Sequence, residues 1–141
     1  MTQGYVIDAS SLFTLLFLTS DPEILSVLRS SFISDLTIYE TGNILSKGRD
    51  ERIKGLDRKK ISSLSKEISN VLSGMNTVHL KPEDFNRVLS ISTDRKLTYY
   101  DASYIFFSKE LKLPLVTEDN AIRAAGKDMG IVVKIAEDLA G

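Results

Sequence analysis

Hydrophobic positions along the chain switch repeatedly between two periods. Tyr5-Val6-Ile7, Leu36-Thr37-Ile38, Thr77-Val78-His79-Leu80, Pro114-Leu115-Val116-Thr117 and Ile131-Val132-Val133 are short apolar or β-branched runs that predict buried strands. Between them apolar residues recur at helical spacing. Leu12, Leu15, Leu16 and Leu18 predict a first helix, capped by Ser10 or Ser11. Pro22 suits the first turn of a second, striped by Ile24, Leu25 and Leu28. From Tyr39 the period is helical again, with Ile44 and Leu45 inward. Ile61, Leu64, Ile68, Val71 and Leu72 predict a long helix that Gly74 punctuates. Pro82-Glu83-Asp84 opens another, Asp101 begins one carrying Ala102, Ile105, Phe106 and Leu111, and a last one runs from Ala121 to Lys127.

Strands that alternate with helices make a parallel sheet covered on both faces. The expected fold class is α/β, a three-layer α/β/α sandwich with a central, mainly parallel sheet, in one domain over residues 1–141. In such sheets ligands bind outside the carboxyl ends of the strands. That rule selects the residues to inspect.

Composition narrows the chemistry. With 43% hydrophobic and 26% charged residues, the chain has the balance of a folded globular protein rather than a disordered one. It has no cysteine and one histidine, which excludes a disulfide framework, a thiolate zinc site, an Fe–S cluster, a cysteine nucleophile and a multi-histidine metal site. Catalysis, if present, falls to carboxylates. Ser11 to Leu18 resembles the apolar core of a signal peptide, but no basic residue precedes it and Asp8 interrupts the apolar stretch on its N-terminal side. It is also shorter than the roughly 20 residues that span a bilayer. The expectation is a cytoplasmic protein without a membrane segment.

Four acids fall where the strand rule points. Asp8 directly follows the first strand, and Asp119 follows Leu115–Thr117 by one residue. Glu40 falls just after the run Leu36–Ile38, on the first turn of its helix, and Asp101 on the first turn of the helix built on Ala102 and Ile105. Carboxylates packed together repel, which raises their pKa or recruits a cation. Oxygen-only ligation favours Mg²⁺ or Mn²⁺ over zinc. Paired ions on such carboxylates can activate water and stabilise the leaving oxygen of a phosphoryl displacement. Each acid also has a structural explanation, because acids in a first helical turn complement the helix dipole and Asp119 suits an N-cap.

The segments Val6-Ile7-Asp8-Ala9-Ser10-Ser11-Leu12, Tyr39-Glu40-Thr41-Gly42-Asn43-Ile44-Leu45, Tyr100-Asp101-Ala102-Ser103-Tyr104 and Leu115-Val116-Thr117-Glu118-Asp119 carry a resemblance that spans nearly the whole chain in order. Together they resemble a PIN domain, and more narrowly the VapC-type toxin ribonucleases. The resemblance implies a PIN-like fold and an Mg²⁺- or Mn²⁺-dependent endoribonuclease that hydrolyses RNA phosphodiester bonds. It places the catalytic and metal-holding acids at Asp8, Glu40, Asp101 and Asp119, with Ser10, Asn43 and Thr117 in support. It also implies a cognate antitoxin, whose C-terminal segment lies over the acidic pocket, and a homodimer. Two alternatives stay open: a non-catalytic PIN-like module that binds RNA or protein, and a free-standing RNA-processing nuclease.

Residues 47–60 hold seven basic and three acidic residues. Lys47, Arg49, Arg52 and Lys54 are the candidate RNA contacts, since phosphates need cations; a solvated loop is the plainer alternative. His79 is expected in a strand or the core, and Glu118 facing solvent. Tyr99, Tyr100, Tyr104, Phe106 and Phe107 are expected mostly in the core, with a few free to line a dimer interface or stack on bases. Other α/β readings fit less well. A receiver domain needs an acidic neighbour for Asp8, a dehalogenase-like phosphatase needs Asp-x-Asp, and a dinucleotide-binding fold needs Gly-x-Gly-x-x-Gly.

Overall fold

The computed structural model describes residues 2–140. In chain order the elements are β1 (Val6–Ile7), α1 (Ala9–Leu16), α2 (Pro22–Ser30), β2 (Phe32–Ser34), α3 (Asp35–Lys47), α4 (Arg58–Gly74) and β3 (Asn76–Val78). A 3₁₀ turn (Pro82–Asp84) then leads to α5 (Phe85–Arg95), α6 (Tyr99–Leu111), β4 (Leu115–Val116), α7 (Asn120–Asp128), β5 (Val133–Lys134) and α8 (Ala136–Ala140). The sheet runs β3-β2-β1-β4-β5. Its pairings are parallel, with Val6 opposite Phe32 and Leu115, Ile33 opposite Thr77, and Leu115 opposite Val133. The strand carrying Asp8 is therefore central.

Successive strand residues point to opposite faces, and the core divides accordingly. Val6 and Leu115 pack against Val88 of α5, Ala102, Ile105 and Phe106 of α6, and Ile122 of α7. Ile7, Ile33 and Val116 pack against Leu12 and Leu15 of α1, Ile24 and Leu28 of α2, and Met75. The sheet is thus the middle of three layers, as the alternating pattern predicts. A third cluster, Phe13, Ile53 and Ile68, lies beneath the connection between α3 and α4.

One predicted strand is wrong. Leu36-Thr37-Ile38 lies in the first turn of α3, and the second strand is Phe32-Ile33-Ser34. The Ser34 N–H donates to Thr37 Oγ1 at 3.1 Å, and Thr37 is fully buried. This local closure at the helix start outweighs the β preference of the branched side chains. The last strand is likewise displaced, to Val133–Lys134. Leu18 lies past the end of α1 and is exposed rather than inward. His79 lies past the end of β3, neither in the strand nor in the core; it is exposed, with Nδ1 2.8 Å from Asp35 Oδ2. No helix among the described residues is long and apolar enough to cross a membrane.

The approach to β1 is tight. A Cβ at Gly4 would stand 2.3 Å from the Ser30 carbonyl oxygen. The next residue, Tyr5, receives the Phe32 N–H on its carbonyl at 2.7 Å. Gly4→Ala should force the central strand away from its neighbour, at a cost of about 1–3 kcal/mol of the kind that overpacking imposes. Urea unfolding of the variant should show the lower midpoint.

Candidate active site

The carboxyl edge of the sheet delivers the acids one element at a time. Asp8 leaves β1 and caps α1, accepting the Ser11 N–H on Oδ1 at 3.0 Å. Ser10 Oγ stands farther off, at 3.5 Å from the same oxygen. Asp119, beyond β4, caps α7 through the Ile122 N–H at 2.9 Å, and its own N–H donates to Thr117 Oγ1 at 3.1 Å. The capping explanation and the functional one thus hold together for both residues: each cap spends one oxygen, Oδ1. Asp101 sits in the first turn of α6, where its N–H donates to the N-cap Thr98 Oγ1 at 3.0 Å. Glu40 stands in the second turn of α3, not the first, because that helix starts at Asp35.

Asp8, Glu40, Asp101 and Asp119 all line one cleft of about 280 Å³, together with Ser10, Asn43 and Tyr104. Thr117 is buried behind Asp8 and Asp119. Lys47, Arg49, Arg52 and Lys54 lie outside the cleft lining. Arg52 is committed to protein contacts, with its guanidinium on Asp50 and Thr14.

One cleft residue escaped the sequence reading. Tyr104, grouped there with the aromatic core, donates its hydroxyl to Glu40 Oε1 at 2.6 Å and is 2% exposed. Its position three residues after Asp101 puts both on one helix face, a spacing that signals the cleft. Both carboxylate oxygens of Glu118 are engaged, one by Ser11 Oγ and one by the Ala136 N–H at 3.0 Å. It ties α8 to α1 while staying exposed, as expected of it.

The electrostatics follow from this crowding. Burial raises the Asp8 pKa above the ordinary carboxylate range, partly offset by bonds from Thr117 and Ser11 and reinforced by Glu118. Burial also raises Glu40, against the Tyr104 hydrogen bond and with added repulsion from Asp101 and Asp8. Asp101 is raised by burial and by Asp119. Tyr104 is pushed upward by burial and by Glu40, so it stays a proton donor.

Among the described residues, no three acidic or histidine side chains form a closed metal cage. A hard divalent ion does not require one. Mg²⁺ dehydrates reluctantly, keeps several waters, and binds through one or two carboxylates plus phosphate oxygens. An all-oxygen set with three carboxyls destabilised as anions is chemically suited to such an ion, and Asp8, Glu40, Asp101 and Asp119 are the residues that could hold it.

The chain is similar to known proteins over most of its length. A family model described as PIN domain matches residues 5–128. The chain is 34% identical over 127 residues to a Pyrobaculum aerophilum protein named Exonuclease VapC9, covering 90% of this chain and 89% of that one. The crystal structure of PAE2754 from the same organism superposes with a TM-score of 0.77 at 30% identity, covering 98% and 88% of the two chains. A chain from a structure described as a toxin–antitoxin complex from Klebsiella pneumoniae superposes with a TM-score of 0.55 at 17% identity, covering 82% and 86%, and shares the fold.

The raised acids carry a stability signature. A carboxyl whose folded pKa exceeds its unfolded value binds more protons folded than unfolded, so stability falls as pH rises through that interval. Asp8→Asn removes the buried charge and keeps a side chain that caps as well as Asp. The metal-free variant should melt higher than the wild type at neutral pH, with the gain shrinking towards pH 4. Calorimetry across that range checks the sign.

Proposed function

Because the chain belongs to the PIN domain family, we propose that it is an Mg²⁺- or Mn²⁺-dependent endoribonuclease and the toxin of a VapBC-type toxin–antitoxin pair. The observation that carries the proposal is the convergence of four carboxylates, from four separate segments, on one cleft at the carboxyl edge of the sheet. A divalent ion bound there supplies charge neutralisation at the phosphodiester and a route to an activated water.

The chain's own residues do the rest. Asp8 and Asp119 each use Oδ1 to cap a helix, which fixes the carboxyl plane. Tyr104 holds Glu40 by one oxygen. Ser10, Asn43 and Thr117 support the orientation of the acids. The single histidine, His79, is bound to Asp35 and outside the cleft lining, so hydrolysis here does not draw on an imidazole base. The basic margin of residues 47–54 offers Lys47, Arg49 and Lys54 to the RNA backbone.

Partners belong to the same proposal. An antitoxin segment that blocks an acidic cleft does so best with a basic side chain, and a toxin–antitoxin complex is among the structural neighbours. A homodimer suits the exposed aromatic face beside the cleft. Tyr39 and Tyr100 are 78% and 64% exposed and line a second hollow with Leu36, Leu80, Tyr99 and Phe107.

Two measurements test these assignments. The Pyrobaculum relative is named an exonuclease, so the substrate should include a circular RNA, which only an endonuclease can open. Wild-type protein with Mn²⁺ should linearise it. Asp101→Asn should reduce the rate at least about 100-fold, the upper end of what loss of even an outer-sphere partner costs a metal site. Intact circles, or cleavage that survives chelation, would contradict the proposal. Light scattering should show a dimer that Tyr39→Glu with Tyr100→Glu converts to a monomer, whereas a monomeric wild type would contradict the dimer.

A further inference from the structure

The connection between α3 and α4 is basic, but it is not a loose solvated loop. Ile53 is 2% exposed and packs with Phe13 of α1 and Ile68 of α4. Arg52 beside it makes a dense set of contacts. Its Nε and Nη2 donate to the two oxygens of Asp50 at 2.9 and 2.7 Å, and its Nη1 donates to Thr14 Oγ1 at 3.0 Å. Its guanidinium carbon lies 4.8 Å from the ring centre of Phe13 and 5.2 Å from that of Phe17. Arg52 in turn draws the Asp50 pKa down to about 2. Both groups therefore stay ionised across the whole neutral range.

This anchor sits at the margin of the acidic cleft. Thr14 donates to the Ser10 carbonyl oxygen at 3.3 Å, and Ser10 lines the cleft. Arg52 is thus fixed one turn of α1 beyond a cleft residue. On the facing helix, Glu40, Asn43 and Lys47 recur at helical spacing, and the first two line the cleft. Lys47 ends α3, and Gly48 takes φ +62°, which turns the chain towards Arg49 and the anchored segment. Lys47, Arg49 and Lys54 are exposed there, Lys54 with a 3.8 Å pairing to Glu51, while Arg52 has three of its five N–H donors on Asp50 and Thr14.

We propose that Arg52 is a positioning residue and not a phosphate contact: it docks residues 48–56 on α1. It thereby holds Lys47, Arg49 and Lys54 as a cationic exit for the RNA backbone at the end of the carboxylate cleft. The inference rests on the nuclease reading of that cleft. Its physical reason is that the four acids repel a polyanion, so a strand is held across them only where cations flank them in a fixed place. A preorganised margin avoids ordering the segment anew with each substrate.

Charge-conserving replacement separates the two roles. Arg52→Lys keeps the cation, but an ammonium lacks the planar fork that grips Asp50 and stacks on Phe13 and Phe17. Binding of a single-stranded RNA 12-mer is measured against salt in an Asp101→Asn background. Lys47→Ala, Arg49→Ala and Lys54→Ala should each lower the salt slope by about 0.7, the value for one single-strand phosphate contact. Arg52→Lys should weaken binding several-fold and speed amide exchange within residues 48–56. In the cleaving protein, Arg52→Lys should raise KM with kcat nearly unchanged. Wild-type affinity in Arg52→Lys, or undisturbed exchange in residues 48–56, would overturn the inference while leaving cleavage intact. A wild type that neither cleaves nor binds RNA would instead overturn the nuclease reading, and the backbone exit with it.

Discussion

A carboxylate 4% exposed at the end of the central strand is a liability for a folded chain, and Asp8 is such a group. Its ionisation is opposed by burial and by Glu118, that of Glu40 by burial and by Asp101 and Asp8, and that of Asp101 by burial and by Asp119. Hydrogen bonds to Asp8 from Thr117 and Ser11, and one phenol on Glu40, only partly offset that cost. A structure that gathers anions in this manner is stabilised by a cation there. The unfavourable charge set is the physical basis of the proposed cation site.

The fold produces this convergence through parallel topology. With β1 in the middle and β2 and β4 on either side, consecutive crossovers bring the start of α1, α3 and α7 to one edge. The α6 helix, packed across the same sheet, adds Asp101 and Tyr104 from a single face. The capping bonds of Asp8 and Asp119 serve folding and also suit the proposed chemistry: one oxygen closes a helix and fixes the carboxyl in the cleft. The segment after α3 is organised differently, around one guanidinium and one buried isoleucine, and it gives an otherwise acidic margin its positive end.

Much of this was legible in the sequence, for physical reasons. Val6-Ile7, Leu115-Val116 and the helical stripes of Leu12–Leu15 and Ile24–Leu28 read correctly because burial enforces their periods. The meeting of the four acids in one cleft was legible because strand ends in a parallel sheet share one edge. Leu36-Thr37-Ile38 misled because its β-branched composition hides a helix start that depends on Ser34 and Thr37 meeting. Tyr104 looked like core because a buried phenol and a buried Phe share a pattern; only the hydroxyl's partner separates them. His79, Glu118 and Arg52 have roles set by partners 44, 107 and 38 residues away, which no local pattern contains.

The most direct test of the account is whether the cleft binds the cation its charge calls for. Mn²⁺ titration followed by electron paramagnetic resonance, at several pH values, reads this without any substrate. The account predicts saturable binding that strengthens as pH rises and the raised carboxyls release their protons, with loss of affinity in Asp8→Asn and Glu40→Gln. Absence of saturable binding, or affinity unchanged by both substitutions, would contradict it.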